Sequence, residues 1–222
     1  MKTISACILL FFSLAVSAQE IQENILENRN YIDRTAEFTR KPLEKGEIVF
    51  LGNSLTQFGK WDLYFPDVKI GNRGIAGDNT LGMLGRLHEI IKAKPKKLFI
   101  MAGINDIAMG RSESKIMANI QSIIYQVEGG SPQTKIYIQS ILPVHNDVGR
   151  YIRLKGKEKQ IENLNKELKK FCKEAGILFI DVYPSLLEKK RKLDMKYTED
   201  GLHLNDNGYA VWIDHLRKYV TN

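Results

Sequence analysis

Cysteine is nearly absent from this chain. Its 222 residues include two, Cys7 and Cys172, so no framework of disulfides can hold the fold and stability has to come from packing. Histidine is also scarce. His88, His145, His203 and His215 are scattered, and no pair of them, nor any neighbouring Asp206, Asp214 or Glu199, has a recognised ligand spacing, which argues against a zinc site. Prolines number six, and there are no repeats, low-complexity tracts or long linkers. Beyond the N-terminus no segment approaches the roughly 18 apolar residues of a membrane helix.

The one long apolar run, 4–16, follows Lys2 and ends in Val16-Ser17-Ala18, small residues of the kind a signal peptidase reads. The expectation is a signal peptide over 1–18, cleavage after Ala18, and an exported protein, periplasmic or extracellular, without stable membrane insertion. Ile4-Ser5-Ala6-Cys7 has the composition of a lipid-acylation box but precedes the apolar run instead of closing it, so no lipid anchor is expected. Cys7 would leave with the signal. Cys172 shares helical spacing with Ile161, Leu164, Leu168 and Ala175 and reads as a small core residue.

With 43% hydrophobic and 27% charged residues, the remainder, 19–222, fits one domain with a core of its own. The formal charge of +7 is spread over clusters at 92–97, 155–159 and 189–192. These clusters lack interleaved aromatics, so solvated faces explain them better than nucleic acid does, although anionic glycan or lipid stays open.

Short β-branched runs alternate with longer amphipathic stretches, which predicts β-α units around a parallel sheet. Strands are expected near 47–51, 68–71, 97–102, 135–141 and 177–181. Helices are expected near 20–38, 79–92, 113–128, 157–175 and 206–220, with Gly129-Gly130 and Gly176 as stops. The result would be a three-layer α/β/α sandwich, binding its ligand at the carboxyl ends of the strands. The longest irregular connection, 143–156, lies at that end.

Four segments there carry chemistry. Ser54, in Gly52-Asn53-Ser54-Leu55, follows an apolar strand where a helix opens. It reads as a helix cap or as a nucleophile, and Thr56 breaks the G-x-S-x-G elbow of α/β-hydrolases. The run Gly71-Asn72-Arg73-Gly74-Ile75-Ala76-Gly77-Asp78 makes a tight turn and offers backbone N–H groups to negative charge, without the spacing of a dinucleotide fingerprint. Asn105, in Gly103-Ile104-Asn105-Asp106, is a turn residue or a side-chain donor to an oxyanion. Asp200 and His203 form a capped turn, or the carboxylate and imidazole that activate a serine.

In order and placement these segments resemble the four blocks of the SGNH (GDSL-type) hydrolases: Ser54 in the first, Gly77 in the second, Asn105 in the third, Asp200 and His203 in the last. The similarity spans almost all of 19–222. Within the family, 74–80, Lys94-Pro95-Lys96 and Leu202-His203-Leu204 with Gly208-Tyr209 are most similar to platelet-activating-factor acetylhydrolase catalytic subunits and bacterial carbohydrate acetylesterases. Asn53 stands where the family usually has Asp, a position to which the family assigns no catalytic step.

The resemblance implies a flavodoxin-like, five-stranded parallel sheet and a serine esterase. Ser54 would attack the ester, His203 take its proton and Asp200 orient the imidazole. The N–H groups of Ser54 and Gly77 with the Asn105 amide would hold the oxyanion, and no metal or organic cofactor is required. No apolar insertion is long enough for a lipase-like lid, and the 143–156 loop carries His145, Asn146, Asp147, Arg150, Tyr151 and Arg153. The expected substrate is therefore a short acyl, chiefly acetyl, ester of a small molecule or glycan. A lysophospholipase or thioesterase is the alternative, and a glycan-binding module without chemistry or an extracellular nuclease fits less well.

Overall fold

The computed structural model describes residues 25–188 and 191–222. The expected signal peptide 1–18 and the expected helix start at residue 20 lie outside the described residues. Five parallel strands form the sheet: β1 (Ile48–Gly52), β2 (Ile70–Gly74), β3 (Lys97–Ile100), β4 (Lys135–Gln139) and β5 (Leu178–Ile180), in spatial order β2-β1-β3-β4-β5. The three-layer sandwich expected from the alternating pattern is the observed architecture.

The sheet is covered on both faces, and its side chains divide by the two-residue period of a strand. Val49, Leu51, Leu98, Ile100, Ile136 and Ile138 point into one core. There they meet α5 (Leu87–Ala93), α7 (Glu113–Gly130) and α8 (Glu158–Ala175), through Leu87 and Ile90, Ile116, Ile120 and Ile123, and Ile161, Leu164 and Leu168. Ile48, Phe50, Phe99, Tyr137 and Ile180 point into the other, against α3 (Trp61–Tyr64) and α9 (Asp206–Val220) through Trp61, Tyr209, Trp212, Ile213 and Leu216. A smaller cluster seats α1 (Arg29–Arg40) by Tyr31 and Phe38 on Ile25 and Ile75. Cys172 is fully buried in the first core, and burial pushes its thiol up to about 11. Among the described residues no helix is long and apolar enough to cross a membrane.

The differences from expectation are local. The single helix expected over 79–92 is two, α4 (Thr80–Gly85) and α5, parted at Arg86, whose backbone leaves helical geometry where its guanidinium turns inward to Asp78. Helices α2 (Ser54–Phe58) and α6 (Ile104–Ala108), like α3, have four or five residues. So short a helix displays too little of the 3.6-residue period to be read from a pattern. Among the described residues the first α-helix starts at Arg29 because Asn28 caps it, accepting from the N–H groups of Asn30 and Tyr31.

Strand order decides where chemistry can gather. The chain lays down β1 in the middle, β2 on one side and β3 on the other, so the carboxyl ends of these three neighbours open side by side at the switch point.

Candidate active site

Each of those three ends delivers one of the segments singled out in the sequence. After β1, Asn53 caps α2 by accepting from the Leu55 N–H at 3.0 Å. The cap sets Ser54 as the first residue of that helix, where its own N–H has no helical partner. After β2, Gly77 has φ of +82°, a backbone that only glycine adopts without strain, and space for 4 Å around it. After β3, Gly103 has φ of +122°, and a Cβ there would stand 2.7 Å from Ile141 Cδ1. Only glycine lets the chain turn that tightly into α6 and carry Asn105 to the cleft.

The fourth segment arrives from the far end of the chain. Gly201 and His203 are held by Thr198, whose Oγ1 accepts from the Gly201 N–H at 2.9 Å and donates to the His203 carbonyl at 2.7 Å. His203 Nε2 lies 2.9 Å from Ser54 Oγ, and His203 Nδ1 lies 2.8 Å from Asp200 Oδ2. An ionised carboxylate only accepts, so Nδ1 carries the proton and Nε2 is left to accept from the serine hydroxyl. Burial pushes the Asp200 carboxyl up. Hydrogen bonds from His203, from the N–H groups of Leu202 and His203 and from Tyr151 outweigh it and bring the group down to about 2.

The donors expected around the oxyanion all line the same pocket. It has a volume of about 420 Å³ and is bounded by Ser54, Gly77, Asn105, Tyr151, Leu154 and His203, among others. The Ser54 and Gly77 N–H groups meet no acceptor among the described residues. Asn105 Nδ2 donates one hydrogen to the Asp78 carbonyl at 2.7 Å, which fixes the amide plane and leaves its second hydrogen. Asp78 is fixed in turn. Its carboxylate takes both Nε and Nη2 of Arg86, at 3.0 and 2.7 Å, and Arg86 also reaches the Gly52 carbonyl at 3.2 Å. Burial pushes the Asp78 carboxyl up to about 6 against the pull of Arg86. The ion pair thus ties the end of β1, the glycine turn and Asn105 into one support. Asp106, the other polar residue of the third segment, faces away and binds Thr80 and Arg111.

Reasoning from the sequence passed over the role of Tyr151. Its hydroxyl donates to Asp200 Oδ2 at 3.0 Å, lies 3.0 Å from His203 Nδ1, and its ring meets the imidazole edge-on with centroids 5.7 Å apart. Nothing in the local sequence marks it, since the contact spans about fifty positions; only its place in the long strand-end loop hinted at the site. Only part of the same loop meets the cleft: Asn146 binds Glu158, Asp147 binds Lys192 and His145 Nδ1 lies 2.8 Å from the Leu193 carbonyl. Those bonds satisfy them elsewhere and leave Arg150, Tyr151, Ile152, Arg153 and Leu154 to face the pocket.

The family model for GDSL-like lipases and acylhydrolases matches residues 50–211, an interval that takes in all four segments. The chain belongs to the GDSL-like lipase/acylhydrolase family. The family is named for lipases and acylhydrolases, enzymes that cleave acyl groups from esters. Among solved structures, a Streptococcus pneumonia protein described as a platelet activating factor is 27% identical, with coverage of 90% of this chain and 96% of that one and a TM-score of 0.77. An acetyl-xylooligosaccharide esterase from Geobacillus, 16% identical over 82% of this chain and 97% of its own, shares the fold with a TM-score of 0.63. An Escherichia coli N-acylneuraminate cytidylyltransferase is 28% identical over 206 residues, which is 91% of this chain and 44% of the relative. The chain thus spans less than half of that curated relative, and a second cytidylyltransferase, from Streptococcus agalactiae, is matched over 45% of its length.

Proposed function

We propose that the protein is an exported serine esterase that removes short acyl groups, chiefly acetyl, from hydroxyl-rich alcohols such as carbohydrates. The observation that carries the mechanism is the unbroken hydrogen-bonded line from Ser54 Oγ through His203 to Asp200. Ser54 attacks the ester carbonyl as His203 Nε2 takes its proton, and Asp200 stabilises the imidazolium that forms. The tetrahedral oxyanion is held by the N–H groups of Ser54 and Gly77 and by the Asn105 amide. Collapse expels the alcohol with the proton from His203 and leaves an acyl-serine, which water opens by the same steps in reverse. All of these groups belong to the chain.

A short acyl group is favoured because one pocket of about 420 Å³ has to take both the acyl group and the alcohol it is attached to. Export rests on the N-terminal run of the sequence. A specific observation keeps a second reading in play: Phe58 and Ile152, which flank the pocket, are 50% and 76% exposed. Apolar walls of that kind also suit a lysophospholipase or thioesterase, where each buried CH₂ is worth about 0.8 kcal/mol. Kinetics with p-nitrophenyl esters decide between the two. We expect acetate to be cleaved with higher kcat/KM than octanoate, and Ser54→Ala to abolish turnover while leaving the fold intact. Efficiency that climbs with chain length would select the lipid reading, and a fully active Ser54→Ala would end the serine mechanism.

A further inference from the structure

Among the described residues no carboxylate lines the pocket beside Ser54. Its charged side chains are Arg150 and Arg153, set among Phe58, Ile152, Leu154 and Leu202. Asp200 is screened from the space, lying behind His203. Arg150 is exposed and pairs with no carboxylate among the described residues. The backbone that carries both arginines is positioned: they stand one residue before and two residues after Tyr151, which is pinned to Asp200 and His203 by its hydroxyl. The short 3₁₀ turn Ile152–Leu154 buries Leu154 and so fixes the other end of this segment.

We infer that Arg150 and Arg153 recognise an anionic group, a carboxylate, on the alcohol half of the ester, so that the substrate class is the acylated sugar acid or a comparable hydroxy acid. The inference rests on the esterase reading above and narrows its substrate. The oxyanion donors take the acyl carbonyl, and Tyr151, which stands between the two arginines in the chain, lies against His203, the group that hands its proton to the departing alcohol. A guanidinium is the side chain best matched to a carboxylate, since its planar fork donates two parallel hydrogen bonds. At a partly exposed site one such contact changes binding by about tenfold, and added salt weakens it.

Two matched acetate esters test this, 4-acetoxybenzoate and its methyl ester, which differ in one negative charge on the leaving alcohol. The quantity read is the ratio of kcat/KM for the charged over the neutral ester, compared between wild type and variants so that leaving-group chemistry cancels. We expect Arg150→Gln to lower the ratio about tenfold, Arg150→Gln with Arg153→Gln to lower it further, and the wild-type ratio to shrink as sodium chloride rises from about 0.05 to 0.5 M. An unchanged ratio in the double variant overturns the inference whatever happens to the absolute rates. A wild-type protein inert toward both esters and toward p-nitrophenyl acetate would instead remove the esterase reading, and this inference with it. Turnover of p-nitrophenyl acetate therefore separates the two failures.

Discussion

Tyr151→Phe deletes one oxygen from the structure and leaves the ring against His203. That oxygen touches two atoms at 3.0 Å, Asp200 Oδ2 and His203 Nδ1. The carboxylate keeps its bonds to the N–H groups of Leu202 and His203 at 2.9 and 2.7 Å, so the pair stays assembled but loses one constraint on Oδ2. A hydrogen bond to a charged group contributes about 1.5–3 kcal/mol when both states count. Only the part that orients the imidazole bears on the transition state, so we expect kcat to fall by about three- to tenfold, or about 0.7–1.4 kcal/mol of barrier. KM should move little, because the pocket face of the ring is intact.

The Asp200 carboxyl supplies a second readout with a definite sign. The Tyr151 hydrogen bond is one of those that hold this carboxyl down at about 2, so in Tyr151→Phe the group should titrate at higher pH. Tyr151→Ala, which also removes a pocket wall, should raise KM in addition. Stopped assays with p-nitrophenyl acetate measure kcat and KM, and an NMR titration of the aspartate side chains follows the carboxyl. If Tyr151→Phe keeps the wild-type kcat and the wild-type Asp200 titration, the hydroxyl has no part in orienting the pair. If KM rises at constant kcat, Tyr151 binds substrate instead.

Asn105→Ala should lower kcat by about 10²–10³-fold, the usual cost of one oxyanion donor, with a smaller change in KM; steady-state kinetics showing the reverse split would assign Asn105 to ground-state binding. Arg86→Met strands the buried Asp78 carboxylate, and should cost about 3–5 kcal/mol in urea melts at neutral pH. Without the pull of Arg86 the Asp78 carboxyl holds its proton to higher pH than in wild type, where it titrates at about 6, so the loss should grow as pH rises above that value and level off below it, where both proteins carry the acid protonated; a pH-independent loss would mean that packing dominates. Asp200 titrates at about 2 in the folded chain, against about 3.9 for an unfolded aspartate. The stability it contributes is complete above the unfolded value and disappears as pH falls through about 2, so the stability gap between wild type and Asp200→Asn should be flat above about pH 5 and close in acid.

The sheet and its long helices were legible from residue pattern alone. Strands buried on both faces appear as apolar runs such as 48–51 and 98–101, and helices such as α8 repeat Ile161, Leu164, Leu168 and Cys172 at one face, so the three-layer architecture follows from spacing. The family blocks were equally legible, because each is a short contiguous string set by local backbone demands: a cap at Asn53, a positive φ at Gly77 and at Gly103, a Thr198-stapled turn before His203. Short helices were not, since α2, α3 and α6 are held by neighbours and not by a repeat of their own.

What tertiary structure alone decided is the company these residues keep. Ser54 and His203 are separated by 149 positions and meet at 2.9 Å because β1 lies between β2 and β3 and α9 packs back across it. Asp78 and Arg86 stand eight positions apart with nothing in the sequence to pair them, yet the break between α4 and α5 turns them inward beneath Gly52 and Asn105. Tyr151 carries no local mark at all. Its hydroxyl reaches Asp200 through a loop whose path depends on where His145, Asn146 and Asp147 find partners. Local sequence encodes backbone geometry because caps, turns and periodic faces are satisfied within a few residues, whereas a hydrogen bond across fifty or more positions exists only once loops have been closed by the packing of everything between them.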